Sequence, residues 1–140
     1  MKHQVITKWK GNMAFESSNP SGHSLTIDAG PDDGGEGSGF RPKALMLSGL
    51  AGCSGIDVAA MIKKMRLEVD NFTIEIDAEL TEEHPKYYHT VTVDYVFTGS
   101  NLDEKKLQRA VDLSVEKYCG VMEMFRRFAK LDIKTTFIKG

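Results

Sequence analysis

The chain has 140 residues, a length that supports one hydrophobic core but not two, so we predict a single domain over residues 1–140. Hydrophobic residues make up 41% of the chain and charged residues 27%, a composition that excludes disordered, collagenous and disulfide-rich classes. The net charge of −2 provides no basic surface for nucleic acid or for an anionic membrane. We therefore expect neither of these as a partner.

Three short strands are predicted in the first part of the chain, over residues 5–9, 14–17 and 24–28. Gly11 and Asn12 form a hairpin turn between the first two of these strands. Residues 30–39 are acidic and rich in glycine, which is typical of a loop. Pro42 then begins a long helix that we expect to end near Arg66, after a basic last turn.

Three strands and two helices are predicted in the remainder of the chain, the strands over residues 72–80, 90–97 and 132–138 and the helices over residues 104–118 and 120–130. The first two of these strands alternate apolar and polar residues, so that one face packs inward and the other faces water. In the second of them, the inward residues are Val91, Val93, Tyr95 and Phe97. The predicted fold class is therefore α+β.

The long helix indicates an oligomer. Over residues 44–62 only Asp57 is charged, so the helix is apolar or small on every side and must be buried all round. A domain with one sheet and two other helices has too little surface to cover it. We therefore predict a homodimer that buries this helix at its centre.

The same helix bears on the location of the protein. Its longest uncharged apolar run, residues 44–56, is too short and too rich in glycine and serine to span a membrane, and Asp57 ends it. The first residues contain no apolar run of the length that a secretory signal needs. We therefore predict a cytoplasmic protein, in which a disulfide would be transient and functional.

Two cysteines, Cys53 and Cys119, each lie in a segment that is typical of a buried helix. Gly49, Gly52 and Gly55 surround the first of them, and each glycine costs a helix roughly 1 kcal/mol relative to alanine. Close approach of another backbone or of a substrate would justify that cost. A thiol pair on facing helices can cycle between dithiol and disulfide. The alternative is two ordinary buried cysteines, because free cysteine is among the most buried residue types.

The remaining polar residues indicate no cofactor and no metal. The histidines have no metal-ligand spacing; they are His3, His23, His84 and His89. The glycine-rich loop lacks the spacing of a dinucleotide or phosphate loop, and its carboxylates would repel phosphate. We therefore predict that the protein functions without either group.

Residues 41–58, RPKALMLSGLAGCSGIDV, resemble the first cysteine motif of the OsmC/Ohr family of thiol peroxidases. That motif is a proline followed by a helix of small and apolar residues and then by Ala-x-Cys. Residues 115–121, VEKYCGV, resemble the second motif, in which a cysteine follows a helix that ends in lysine and an aromatic residue or histidine. The order of strands and helices also agrees with that family over nearly the whole chain.

The resemblance implies an OsmC-like fold, in which antiparallel sheets pack on central helices in an intertwined homodimer with active sites at the subunit interface. It also implies that Cys53 attacks a peroxide as the thiolate and becomes a sulfenic acid, and that Cys119 then condenses with it to a disulfide. An external dithiol, lipoyl-type in parts of the family, would reduce that disulfide. The implied substrates are organic hydroperoxides, with hydrogen peroxide as a further candidate.

The chain departs from the family at the residues that activate the first cysteine. Other members use an arginine from the N-terminal strands and a glutamate directly after the proline, whereas here Lys43 follows Pro42 and the first arginine is Arg41. Arg41 and Lys43 are therefore candidate activating cations, with His23 and Arg126 as further candidates. The alternative for Arg41 and Lys43 is a solvated helix N-terminus.

This departure leaves an alternative function open. An OsmC-like protein that has lost efficient peroxidase activity would be a redox sensor or would bind a hydrophobic ligand along its small-residue helix. A third interpretation is a structural dimer with inert buried cysteines.

Overall fold

The structure, a computed structural model, describes residues 1–140. The chain forms two compact units, Met1–Met46 and Leu47–Gly140. The assignment of a single domain stays a prediction.

The first unit contains an antiparallel sheet of three short strands in the order β1-β2-β3, which are Ile6–Gly11, Ala14–Ser18 and Ser24–Ile27. The turn between β1 and β2 uses Gly11 and Asn12, whose φ angles of 104° and 47° lie in the left-handed region that glycine and asparagine tolerate best. The Trp9 indole donates a hydrogen bond to the Asn12 carbonyl at 2.8 Å and closes the turn. The predicted hairpin is confirmed.

The glycine-rich loop of the first unit is organised around one carboxylate. Asp28 is only 2% exposed, and it accepts hydrogen bonds from the Ser38 hydroxyl and from the backbone N–H groups of Ser38, Glu36 and Ala29. These bonds, that of the Ser38 hydroxyl above all, lower the pKa of Asp28. The loop also contains a single 3-10 turn at Pro31–Asp33.

The second unit contains most of the long helix α1 and a mixed α/β segment. The elements are α1 (Pro42–Lys64), β4 (Asn71–Leu80), β5 (Tyr88–Gly99), α2 (Glu104–Leu113), a π-helical segment (Ser114–Tyr118), α3 (Gly120–Arg126) and β6 (Lys130–Lys139). Its sheet has the order β4-β5-β6. The α+β fold class is confirmed.

The pairing within this sheet corrects one expectation. β4 and β5 are antiparallel, as predicted, but β6 runs parallel to β5. The physical reason is the connection: the chain passes through α2, the π-helical segment and α3 between β5 and β6, and such a helical crossover returns it to the same end of the sheet.

Two predicted helix boundaries were wrong. The helix expected over residues 104–118 ends as an α-helix at Leu113 and continues as the π-helical segment. The helix expected over residues 120–130 ends at Arg126, and Lys130 already belongs to β6. Helix termini often adopt other hydrogen-bond patterns, which residue periodicity does not distinguish.

The core of the second unit lies between its sheet and its helices. The four inward residues predicted on β5 are fully buried; they are Val91, Val93, Tyr95 and Phe97. The Phe97 ring stacks with Phe72 at a centroid distance of 4.6 Å and with Phe137 at 5.9 Å. Leu107, Met122 and Phe125 fill the helical side of the same core.

The second unit covers helix α1 along one side. Its buried residues are Leu50, Ser54 and Val58, which recur every four residues and so form one stripe. By contrast, the Met46 side chain is 51% exposed and the Ile56 side chain is 72% exposed. Burial all round, as the sequence predicts, is therefore not achieved within one chain.

Candidate functional site

The second unit brings the two cysteines together. Cys53 lies in the middle of α1 and is half-buried, whereas Cys119 directly precedes α3 and is 4% exposed. Both side chains are free thiols that pack in one apolar cluster, where the Cys53 thiol raises the pKa of Cys119. A half-buried cysteine and a buried cysteine therefore share one part of the core.

The surroundings of Cys119 hold it in the thiol form. Burial raises the pKa of Cys119 to about 11, and the Cys53 thiol and the Asp57 carboxylate also raise it. A hydrogen bond from the Met122 N–H to the Cys119 sulfur, at 3.3 Å, acts in the opposite direction and lowers this pKa. Because burial outweighs that hydrogen bond, Cys119 is a neutral thiol at pH 7.

Three hydroxyl groups and a carboxylate form a hydrogen-bonded chain beside the cysteines, which we call the hydroxyl chain. The Tyr95 hydroxyl lies 2.6 Å from the Ser54 hydroxyl, which lies 2.7 Å from the Ser114 hydroxyl. Ser114 donates in turn to the Asp57 carboxylate at 2.9 Å. Tyr95, Ser54 and Ser114 are fully buried, so these bonds satisfy groups that have no access to water.

The carboxylate sets the direction of these hydrogen bonds. An ionised carboxylate only accepts, and each hydroxyl has one proton to donate. Ser114 therefore donates to Asp57, Ser54 donates to Ser114, and Tyr95 donates to Ser54. Burial raises the pKa of Tyr95 to about 12, which keeps the phenol protonated as this direction requires.

The hydroxyl chain also connects the two cysteines through the backbone. Ser54 directly follows Cys53 on α1, and the Ser114 carbonyl accepts the Cys119 N–H at 2.9 Å. That backbone bond spans five residues and is the hydrogen bond of the π-helical segment. Each serine is therefore fixed to one of the cysteines, and the two serines are bonded to each other.

Most of this cluster was not predicted from the sequence. Asp57 was identified only as the single charge of an apolar helix, although Cys53 and Asp57 are four residues apart and so share one helix face. Ser54 and Ser114 give no such signal, because they bond to each other across 60 positions of the sequence. Tyr95 was predicted to be buried, but not to be hydrogen-bonded.

Two of the four candidate activating cations, Arg41 and Arg126, have hydrogen-bond partners, and the other two are exposed. In the first unit, Arg41 donates a hydrogen bond to the Gly39 carbonyl at 3.1 Å. Lys43 is exposed in the first turn of α1, and His23 is exposed beside β3. Arg126 is paired with Glu123 and donates to the Val115 carbonyl at 2.6 Å. An activating role for Arg41 or Lys43 stays a prediction.

No three histidine, cysteine, aspartate or glutamate side chains are grouped as ligands for a metal ion. The site consists of two thiols and the hydroxyl chain. Its chemistry is therefore that of the two sulfur atoms, and the hydroxyl chain supplies hydrogen bonds and charge beside them.

Comparisons with known proteins agree with this arrangement of elements. Residues 35–134 match the family model described as OsmC-like protein. The chain is 32% identical to Protein YhfA of Escherichia coli (strain K12) over 124 residues, which is 89% of this chain and 90% of that protein. A crystal structure of a hypothetical protein from Aquifex aeolicus VF5 superposes with a TM-score of 0.86 at 32% identity, covering 100% of this chain and 98% of that chain.

A more distant structure shares the fold. The organic hydroperoxide resistance protein OsmC from Legionella pneumophila superposes with a TM-score of 0.70 at 14% identity, covering 97% of each chain. At that identity the similarity concerns the fold alone. The match to the family model and the 32% identity to YhfA show that this chain belongs to the OsmC-like protein family.

Proposed function

We propose that the protein is a two-cysteine thiol peroxidase that reduces organic hydroperoxides, with hydrogen peroxide as a further substrate. The observation that carries this proposal is the packing of a half-buried thiol, Cys53, and a buried thiol, Cys119, in one apolar cluster. A protein of the same fold, from Legionella pneumophila, is an organic hydroperoxide resistance protein, which supports hydroperoxides as the substrate class.

The proposed cycle uses both sulfur atoms. The Cys53 thiolate attacks the terminal oxygen of the hydroperoxide, so that an S–O bond forms, the O–O bond breaks and the alcohol leaves after taking up a proton. The Cys119 sulfur then attacks the Cys53 sulfenic acid; the S–S bond forms, and hydroxide leaves with the thiol proton as water. The two electrons that reduce the peroxide come from the thiol pair. An external dithiol returns them in the next step.

The two environments support this division of roles. Cys53 is the more exposed of the two cysteines, which favours it as the residue that meets a peroxide. The raised pKa of Cys119 keeps that group as an unreactive thiol until a sulfenic acid forms beside it. We therefore assign the peroxidatic role to Cys53 and the resolving role to Cys119, with Arg41 or Lys43 as the candidate cation for activation.

The exposed side of α1 supports a homodimer. A Cβ atom at Gly49 or Gly52 would meet nothing within 4 Å, so the space beside these glycines is open in one chain. Helix α1 is long and apolar enough to cross a membrane, but the core helix of a soluble protein has the same length and composition. Asp57 also places a charge within it. We propose that a second copy of this chain covers α1 in a cytoplasmic dimer.

Stopped-flow oxidation by cumene hydroperoxide tests the peroxidase proposal. We expect fast loss of thiols in the wild-type protein and none in Cys53→Ser, because the attacking sulfur is removed. Cys119→Ser is the matched control; it should still lose the Cys53 thiol but should form no intramolecular disulfide. Turnover that survives Cys53→Ser, or slow thiol loss in the wild type, would exclude the proposal.

One observation favours a second function. The charged group that acts on the thiol pair is the Asp57 carboxylate, which raises the pKa of Cys119, whereas a fast peroxidase needs a cation beside its attacking sulfur. A redox sensor or a hydrophobic-ligand-binding protein would function with a thiol that reacts slowly with peroxide. Native mass spectrometry distinguishes the two functions: a bound acyl chain together with slow peroxide reduction would favour ligand binding.

A further inference from the structure

We propose that Ser54 and Ser114, with Asp57 as the acceptor that orients them, are positioning residues for a Cys53–Cys119 disulfide. The inference rests on the proposed function only in taking that disulfide as the working oxidised form. It assigns a role to the hydroxyl chain that is separate from attack on peroxide.

A continuous path of covalent and hydrogen bonds connects the two cysteines. It passes from Cys53 to Ser54 through one peptide bond and from Ser54 to Ser114 through the 2.7 Å hydrogen bond. It reaches Cys119 through the 2.9 Å bond from the Cys119 N–H to the Ser114 carbonyl. The contact between the two serines therefore helps to hold the backbone of one cysteine in place relative to that of the other.

The backbone before Cys119 forms the π-helical segment. A π-helical turn is rare and needs support from its surroundings, and it shifts the residues that follow it relative to an α-helix. Ser114 begins this segment, and its side chain is held by Ser54 and Asp57, both on α1. The helix that carries Cys53 thus fixes the local geometry that places Cys119.

The hydrogen bonds of the hydroxyl chain run in one direction, toward Asp57. An ionised Asp57 only accepts, and it lies 2.9 Å from the Ser114 hydroxyl, closer than the Ser54 carbonyl at 3.4 Å. The Ser114 proton therefore points to Asp57, and Ser114 is left to accept from the Ser54 hydroxyl. The carboxylate therefore selects one arrangement of the buried hydroxyl groups. Preorganisation of this kind raises the effective concentration of one thiol at the other.

The test measures the dithiol–disulfide equilibrium in glutathione buffers. Glutathione disulfide oxidises the pair by forming the Cys53–Cys119 bond; its own S–S bond breaks, and the two cysteine protons pass to two glutathione thiols. In Ser114→Ala we expect the effective concentration of the thiols to fall roughly tenfold, which moves the reduction potential about 30 mV less negative. In Asp57→Asn, which keeps an acceptor oxygen but loses the charge, we expect a fall of about threefold or more.

Asp112→Asn is the matched control, because Asp112 is another half-buried helix carboxylate and accepts a hydrogen bond from Gln108 at 2.9 Å. Ser48→Ala, an exposed serine of α1, controls for the loss of a hydroxyl. Both should keep the wild-type potential. A merely structural contact would stabilise the dithiol and the disulfide equally. Its loss would then lower the melting temperature of both forms and leave the reduction potential unchanged.

A wild-type potential in folded Ser114→Ala overturns the inference, as does an equal shift in Asp112→Asn. If Ser114→Ala does not fold, the Asp57→Asn potential decides alone, because Asp57 is half-buried and its replacement leaves no cavity. The buffers contain no peroxide, so a protein that fails the cumene hydroperoxide assay can still pass this test. The two proposals therefore fail independently.

Discussion

The Ser54 hydroxyl lies 2.7 Å from the Ser114 hydroxyl, and both groups are fully buried. This contact joins α1, which carries Cys53, to the π-helical segment that precedes Cys119. Leaving either hydroxyl without its partner would cost about 1–3 kcal/mol, so the two segments are held together strongly at this point. The thiol pair is thus supported by polar contacts inside an otherwise apolar core.

The first prediction concerns thiol labelling. In reduced protein, iodoacetamide should modify Cys53 before Cys119, because Cys53 is the more exposed sulfur and Cys119 has a pKa of about 11. The Cys119 rate should rise roughly tenfold for each pH unit up to that pKa. Mass spectrometry of quenched samples between pH 7 and 11 measures both rates. A Cys119 midpoint near that of a free thiol would contradict the assigned environment.

The second prediction is a loss of stability at alkaline pH. Folding raises the pKa of Cys119, so the neutral thiol contributes to the free energy of unfolding. This contribution is complete below the unfolded-state pKa of about 8.5 and is lost as the pH rises toward the folded-state pKa. Between pH 8 and 10 the wild type should lose on the order of 1 kcal/mol more unfolding free energy than Cys119→Ala. Urea unfolding at the two pH values measures the difference. Equal losses in the two proteins would show that Cys119 is not the titrating group.

The third prediction concerns the buried end of the hydroxyl chain. Tyr95→Phe removes the donor to Ser54 and should lower the unfolding free energy by about 1–2 kcal/mol, because a hydrogen bond between buried groups is lost. Tyr88→Phe is the control, since Tyr88 is also buried but has no hydrogen bond at its hydroxyl. Its stability should stay near the wild-type value.

A double-mutant cycle isolates the Tyr95–Ser54 contact. We expect the effects of Tyr95→Phe and Ser54→Ala to be non-additive by roughly 0.5 kcal/mol or more, because the two groups bond directly. Additive effects in urea unfolding would show that the hydroxyl groups do not depend on each other.

The fourth prediction tests the proposed dimer. Ile56→Glu places a charge on the side of α1 that one chain leaves open, where the Ile56 side chain is 72% exposed. A buried unpaired charge at an interface costs several kcal/mol, so the variant should dissociate into monomers. Lys63→Glu, at an exposed position in the last turn of α1, should keep the wild-type assembly. Sedimentation velocity measures both, and a monomeric wild type would refute the dimer.

The elements that depend on local residue patterns could be predicted from the sequence. The strict alternation of residues 90–97 predicted the four buried residues of β5, and Gly11 with Asn12 predicted the first hairpin. The two cysteine motifs indicated the family, which the match over residues 35–134 shows. Each of these signals lies within a few neighbouring residues, so it can be read without knowing what packs on what.

The features that depend on residues far apart in the sequence became visible only in the folded chain. Residue periodicity did not predict the π-helical segment at Ser114–Tyr118 or the parallel pairing of β6 with β5. Nor did it connect Ser54 with Tyr95, since that hydrogen bond joins residues 41 positions apart. Such contacts arise only when helices pack on the sheet, where a buried hydroxyl must find whichever partner lies beside it.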